Sequence, residues 1–291
     1  HAADTTTISA EALAAAVAGA ASFGVSAAVS VGVSIATNTI DSRVAAGVAS
    51  GATVNTAKLL DIKADTTATI SALSAAASVA AASGALSYSA AGGGAESTNT
   101  ITTDTRATVT GSTISLPGDV SVAATVAPQA TTTVGSVNAA GGSLVSLAAG
   151  GSVARVTINP TVNASITGST VTAEDVDVKA TVTPQAEALA YGVNAGSAAV
   201  GVSLSTIDVT PVVTATVGGT ITAASLDVAA TSARPASAAT AAARSTGAAG
   251  GVLIGIDATR SVVTHGGTVT AGVASGANLT VSGATTIAAA S

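Results

Sequence analysis

Asp41, Asp104, Asn159, Asp208 and Asp257 each follow closely behind an isoleucine, namely Ile40, Ile101, Ile158, Ile207 and Ile256, with Asp104 displaced by two. Carboxylates and carboxamides returning at one phase of a chain would stack into a file of oxygen ligands, the donor type that suits calcium. Asp41, Asp104, Asp208 and Asp257 are therefore the candidate calcium ligands. The same residue types also favour corners, where their side chains bond nearby backbone amides. The nonapeptide GGxGxDxUx of calcium-binding β-rolls is absent, so the corner role is the stronger expectation.

A second set is Thr53-Val54-Asn55, Thr113-Ile114-Ser115, Thr170-Val171-Thr172, Thr220-Ile221-Thr222 and Asn278-Leu279-Thr280. Stacked as strands, these give two files of hydroxyl and amide groups on one side and an aliphatic residue on the other. A flat file of that kind orders water. Thr113, Thr170, Thr172, Thr220 and Thr222 are the candidate ice- or ligand-binding residues, against the plainer role of a solvent-facing strand.

Catalytic chemistry has no such foothold. Glutamate occurs only at 11, 96, 174 and 187, histidine only at 1 and 265, and no nucleophile, base and orienting group combine. His265, beside Gly266-Gly267, reads as a turn residue. Asp41 with Arg43, Asp104 with Arg106 and Asp257 with Arg260 read as corner ion pairs of small energetic value. The expectation is a non-enzyme without catalytic or cofactor-binding residues. One Phe, two Tyr and no Trp also disfavour carbohydrate, which stacks on aromatic platforms.

The elements that position these residues come in repeats. Leu60-Asp61-Ile62-Lys63-Ala64 returns as Val120-Ser121-Val122-Ala123-Ala124, Val176-Asp177-Val178-Lys179-Ala180, Leu226-Asp227-Val228-Ala229-Ala230 and Thr285-Thr286-Ile287-Ala288-Ala289. The spacing, roughly 56 residues, signals a solenoid, propeller or stacked array. Ala46 to Ala52 is identical to Ala271 to Ala277. Ala3 to Ala10 reads like Ala64 to Ala72 with one residue dropped. Five units follow, 1–63, 64–123, 124–179, 180–229 and 230–291, with first and last at one phase and neither carrying a polar capping strand. Such ends are expected to join copies end to end or to continue into flanking repeats of a longer chain.

Hydrophobic residues make up 48% of the chain and charged ones 8%, against about 25% charged in average chains. Most of the hydrophobic total is Ala and Val, so stability must come from backbones brought close together. Nine scattered basic residues and a net charge of −6 give no footprint for nucleic acid. Absence of Cys removes disulfides and Cys-type metal sites and is compatible with export. There is no initiating Met and no signal peptide, so a processed product or an excised segment is expected, with His1 read as the remnant of a tag. Residues 12–36 carry no charge and form the one candidate membrane span; small-residue strand packing accounts for them better, so no span is expected.

Within a unit, short alternating runs are punctuated by Gly, Asn, Asp and Pro. Val176-Asp177-Val178-Lys179 alternates with period two, Val178 inward and Asp177 outward. Pro128, Pro184 and Pro235 are read as corners, and Asn194-Ala195-Gly196 as a turn. Leu13 to Ala21, Ser74 to Ala82 and Ala236 to Ala243 favour helix by propensity, but their equivalents are Val- and Gly-rich, which favours strand. The fold class is all-β, a flattened β-solenoid of about five stacked repeats. A perimeter near 180 Å and a height of about 24 Å follow from roughly 3.3 Å per residue and 4.8 Å per layer.

The phrasing of the unit, from Ile158 to Ala180 (INPTVNASITGSTVTAEDVDVKA) and from Val31 to Ile40 (VGVSIATNTI), resembles the repeat regions of bacterial filamentous adhesins of the leukotoxin type. The resemblance covers essentially the whole chain. It implies a secreted β-solenoid stalk or filament, extracellular or on the bacterial cell surface, with a host or cell surface as possible partner and no catalytic residues to carry over.

Overall fold

Strand is what this sequence affords: tiny side chains and β-branched residues alternate over long stretches, and nothing bulky enough to fill a rounded core is present. The structure, a computed structural model, describes residues 1–55, 58–233 and 241–291. Pro235 and most of the Ala236–Ala243 run lie outside the described residues. Among those described, every element is a strand, and the candidate helices at Leu13–Ala21 and Ser74–Ala82 are extended. Residues 12–36 form strand as well, and no helix is long and apolar enough to cross a membrane.

Each coil makes a long outbound leg, a tight tip, a long return leg and a short strand across the base. The first coil is β1 (Ala2–Ala21), β2 (Val25–Val48) and β3 (Thr53–Val54). The second is β4 (Leu59–Ser83), β5 (Leu86–Thr110) and β6 (Thr113–Ser115). In the third, β7 (Asp119–Gly141) goes out, and β8 (Val145–Thr172) returns and closes the base. The fourth holds β9 (Asp175–Val182), β10 (Gln185–Val209) and β11 (Val212–Ala223). The fifth holds β12 (Ser225–Ser232), β13 (Ala241–His265), β14 (Thr268–Val273) and β15 (Asn278–Val281), after which β16 (Thr285–Ala290) opens a further level beneath β12.

All ladders are parallel, coil upon coil. Ile62, Val122, Val178, Val228 and Ile287 occupy one column. So do Ala64, Ala124, Ala180 and Ala230, with Ala2 above and Ala289 below. The identical segments at 46 and 271 share a file through Ala107, Ala164 and Ala215. At the start the register needs no dropped residue, since Ala2 to Ala21 lie against Ala64 to Ser83 without a gap. A leg of 25 residues is about 80 Å long at roughly 3.3 Å per residue, while the two legs lie about 10 Å apart. The coil is a flat slab with almost no lumen.

The Asn194-Ala195-Gly196 turn is the tip of the fourth coil. The first half of β10 pairs with β7 and the second with β8, and on its other side the register with β13 shifts between Gly196 and Ala198. Pro128 and Pro184, expected at corners, lie within the legs instead. Pro128 lies inside β7, opposite Ala68, and Pro184 sits one level below it, between β9 and β10. Stacked prolines interrupt the ladder locally because neither donates an N–H, but the leg runs straight on. The real base corners use glycines with positive φ: Gly51 (83°), Gly111 (55°), Gly168 (59°), Gly219 (96°) and Gly276 (77°). Only glycine takes that backbone without a Cβ penalty.

The core is a line of three patches between the legs. Nearest the base, Ile62, Val122, Val178, Val228, Ile114 and Ile166 pack together. Midway, Ile40, Ile70, Ile101, Ile158 and Ile207 form a second cluster with alanines. At the tip only alanines remain, Ala28, Ala80, Ala82 and Ala91. Each buried Val or Ile contributes about 1.5–3 kcal/mol, so stability is concentrated toward the base.

Candidate functional site

The Thr-x-Thr strands form the narrow base of the slab. Thr53, Thr113, Thr170, Thr220 and Asn278 stack in one file, and Ser115, Thr172, Thr222 and Thr280 in the other. Thr113, Thr170, Thr172, Thr220 and Thr222 are all exposed, while Ile114, Val171 and Ile221 between them are fully buried. The hydroxyls therefore form a regular two-file grid, about 4.8 Å along the stack and roughly 6.6 Å across it, with the aliphatic anchors buried behind. Its chemistry is to present ordered donors and acceptors to water or a repetitive ligand.

The candidate calcium residues do not form a column, and none of them lies at a corner. Asp41 is outward in β2 against Thr102, which in turn lies against Asn159. Asp104 lies against Arg43 and Thr161, and Asp208 against Thr157 and Thr264. These three aspartates occupy neighbouring outward files, each in a different coil. Asp257 lies level with Gly201 and points inward between the legs. Among the described residues no group of three His, Cys, Asp or Glu side chains is close enough to hold a metal ion. Register rather than spacing separates them, because coil lengths differ.

The expected ion pairs are also redistributed. Asp104 lies between Arg106 (2.6 Å) and Arg43 (3.6 Å), so Arg43 pairs across coils instead of with Asp41. Asp257 is turned away from Arg260. Lys179 bridges Asp177 (3.2 Å) and Asp227 (3.1 Å). Desolvation is the largest influence on its ammonium and opposes the charge, yet the hydrogen bonds and charges of Asp227 and Asp177 together outweigh it and raise the pKa above the ordinary lysine value. Glu11, Glu96, Glu174 and Glu187 are dispersed over β1, β5, the β8–β9 turn and β10. His265 ends β13 beside the Gly266-Gly267 turn.

Sequence reasoning missed an inversion of polarity along the slab. Near the base the pattern is ordinary, with Val122 and Val178 inside and Asp61, Lys63 and Asp177 outside. Toward the tip it reverses. Ser30, Ser74, Ser78, Ser152, Asn138 and Asn194 are buried between the legs, while Val29, Val31, Tyr88, Val137, Leu147 and Val200 face out, each 40% exposed or more. The buried hydroxyls bond one another: Ser34 with Ser74 at 2.9 Å, Ser78 to Ser30 at 3.0 Å, and Ser152 to Ser136 at 2.9 Å. Serine is narrow enough for two backbones to approach, and in these pairs the hydroxyls meet their polar need across the gap.

No Asp, Glu, Lys, Arg or His occurs in 12–34, 74–95, 134–152, 188–203 or 245–256, which are the distal halves of the five coils. The chain's three aromatic residues, Phe23, Tyr88 and Tyr191, all lie there and are all exposed. Compared with known proteins, the chain matches no protein-family model, no curated protein and no solved structure at a significant level.

Proposed function

We propose that this chain is a structural, non-catalytic β-solenoid stretch of a secreted bacterial surface filament or adhesin stalk, continued beyond its first and last coils. The observation that carries this reading is the pair of open edges. Among the described residues, β1 and β2 on one side, 20 and 24 residues long, pair with only one neighbour each; on the other, so does β13, 25 residues long. Edges of that length are templates for a further layer, and a solenoid whose layers contact only their neighbours accepts layers indefinitely. The resemblance to leukotoxin-type adhesin repeats supports the extracellular placement.

Two kinds of neighbour fit these edges: flanking repeats of a longer chain, and further copies of this one. Negative-stain microscopy of purified protein separates them. Uniform fibres would mean that free copies stack, and discrete slabs would mean that continuation is covalent. Collapse to irregular aggregates, with loss of the strand signal in circular dichroism, would defeat the reading.

A second reading rests on the exposed Thr grid at Thr113, Thr170, Thr172, Thr220 and Thr222. A flat, regularly spaced hydroxyl array suits binding to ice or another repetitive surface. Thermal hysteresis that disappears in Thr170→Lys would establish it. No hysteresis at millimolar protein would remove it.

A further inference from the structure

We infer that the distal half of the return sheet is a lateral docking face for a second copy of this chain, packed face to face about a two-fold axis. The proposal concerns the broad face of the slab and stands whether or not the edges stack.

The outward positions of the return legs between the tip and the middle of the slab form aliphatic ridges, Val29, Val31 and Val33 on the first coil and Val200 and Val202 on the fourth. Between the ridges Gly94 and Gly151 leave a shallow trough of about 280 Å³, bounded by Val33, Ile35 and Val153. Exposure of these side chains is not an edge effect. Tyr88 and Leu147 have coils on both sides and remain 44% and 45% exposed. Glu96, Arg155 and Arg260 line the base-side border of the face, the polar rim expected around an apolar contact.

Area supports the same occupant. Eleven consecutive residues of the return leg, Val25 to Ile35 in the first coil, at roughly 3.3 Å each and five strands at roughly 4.8 Å give about 870 Å². That exceeds the roughly 300–600 Å² of the largest patch on a typical monomer and meets the about 800 Å² per partner of a stable interface. The face is built largely of Ala, Gly and Val, side chains small enough for two sheets to pack about 10 Å apart, so another flat face of this composition fits it. Two identical faces meet in an isologous contact. Lipid is a poorer occupant, because β1, β2 and β13 hold unpaired backbone groups along the same zone, and hydrocarbon would leave them unsatisfied at several kcal/mol each.

The test is sedimentation velocity over a concentration series, with small-angle scattering to measure slab thickness. Wild-type protein is expected to associate into particles two slabs thick. Leu147→Lys with Val200→Lys is expected to weaken that association about a hundredfold or more, because unpaired ammonium groups would be buried in the contact. Thr157→Lys, on the polar half of the same face, is expected to leave it unchanged. Leu147→Thr with Val200→Thr serves if the lysine variant loses its strand signal, and is expected to weaken association about tenfold. Association that persists in a folded face variant overturns the proposal, as does a wild-type protein that stays one slab thick at every concentration. Flotation of such a monomer with phosphatidylcholine vesicles, lost in the lysine variant, would overturn it in favour of a membrane surface.

Discussion

Gly150 stands in the column Gly32, Gly93, Gly150 and Gly201, opposite a ladder in which Asn138 Nδ2 donates to Asn194 Oδ1 at 3.0 Å. A methyl group at Gly150 would overlap Asn138 Nδ2 and the carbonyl of Gly93. Gly150→Ala is therefore expected to lower stability by about 1–3 kcal/mol through overpacking. Gly135→Ala, in a strand with nothing near the added Cβ, is expected to be neutral or to gain up to about 1 kcal/mol. Urea midpoints compare the two. Lys179 offers a pH-dependent counterpart. Its folded pKa is raised, so its contribution is complete below the ordinary value of 10.5 and is lost as pH rises through the folded value. Lys179→Met should cost a few tenths of a kcal/mol at neutral pH, given its exposure. The difference from wild type should vanish in strongly alkaline solution, and a difference that grew with pH would contradict the Asp227–Lys179–Asp177 bridge.

In the opening legs, inside and outside are set by one alternation. Val178 is fully buried, level with Val122 and Val228; Asp177 faces solvent in the file of Ser121 and Asp227. Val178→Asp should cost about 3–5 kcal/mol, the scale of an uncompensated buried charge. Asp177→Ser should cost less than about 1 kcal/mol, because Lys179 keeps Asp227. Thermal unfolding followed by circular dichroism ranks them, and equal tolerance would refute the assignment. The opening motif was legible because it alternates polar and aliphatic residues in the ordinary sense. Pro128 misled for a local reason: a missing N–H interrupts a ladder, but a neighbouring proline in the same file lets the gap stack, and the leg does not bend.

Both terminal coils carry a carboxylate pointing between the legs, a device of the kind that discourages edge-to-edge association. Asp4 is level with buried Thr66 and accepts hydrogen bonds from Thr6 and Ser42. Asp257 occupies the space left by Gly201 and Gly247. Among the described residues, no Asp, Glu, Lys or Arg faces inward in the second, third or fourth coil. Any further layer stacked on either edge would have to bury one of these charges. Asp257→Gly, which restores the residue type of its file, is expected to strengthen end-to-end association about tenfold, or roughly 1.4 kcal/mol. Fibre length in negative stain measures it. No change would show that the carboxylate is not the barrier.

Repetition, strand and flatness were fixed by the chain itself: recurring motifs force equivalent side chains into files, and a composition of Ala, Gly, Ser and Val leaves close sheets as the stable packing. The Thr files were legible for the same reason, since short base strands follow tight glycine turns and keep their phase in every coil. The aspartate column was not, because coils of unequal length move residues of similar spacing into different files, and only register separates Asp41, Asp104, Asp208 and Asp257. Nor was the reversed polarity of the distal half. Local alternation in Val29-Ser30-Val31-Gly32-Val33-Ser34 would bury the valines. They face out because β2 is a single strand of period two, anchored by Ile40 in the core, and that anchor fixes the side on which every residue of the leg must fall.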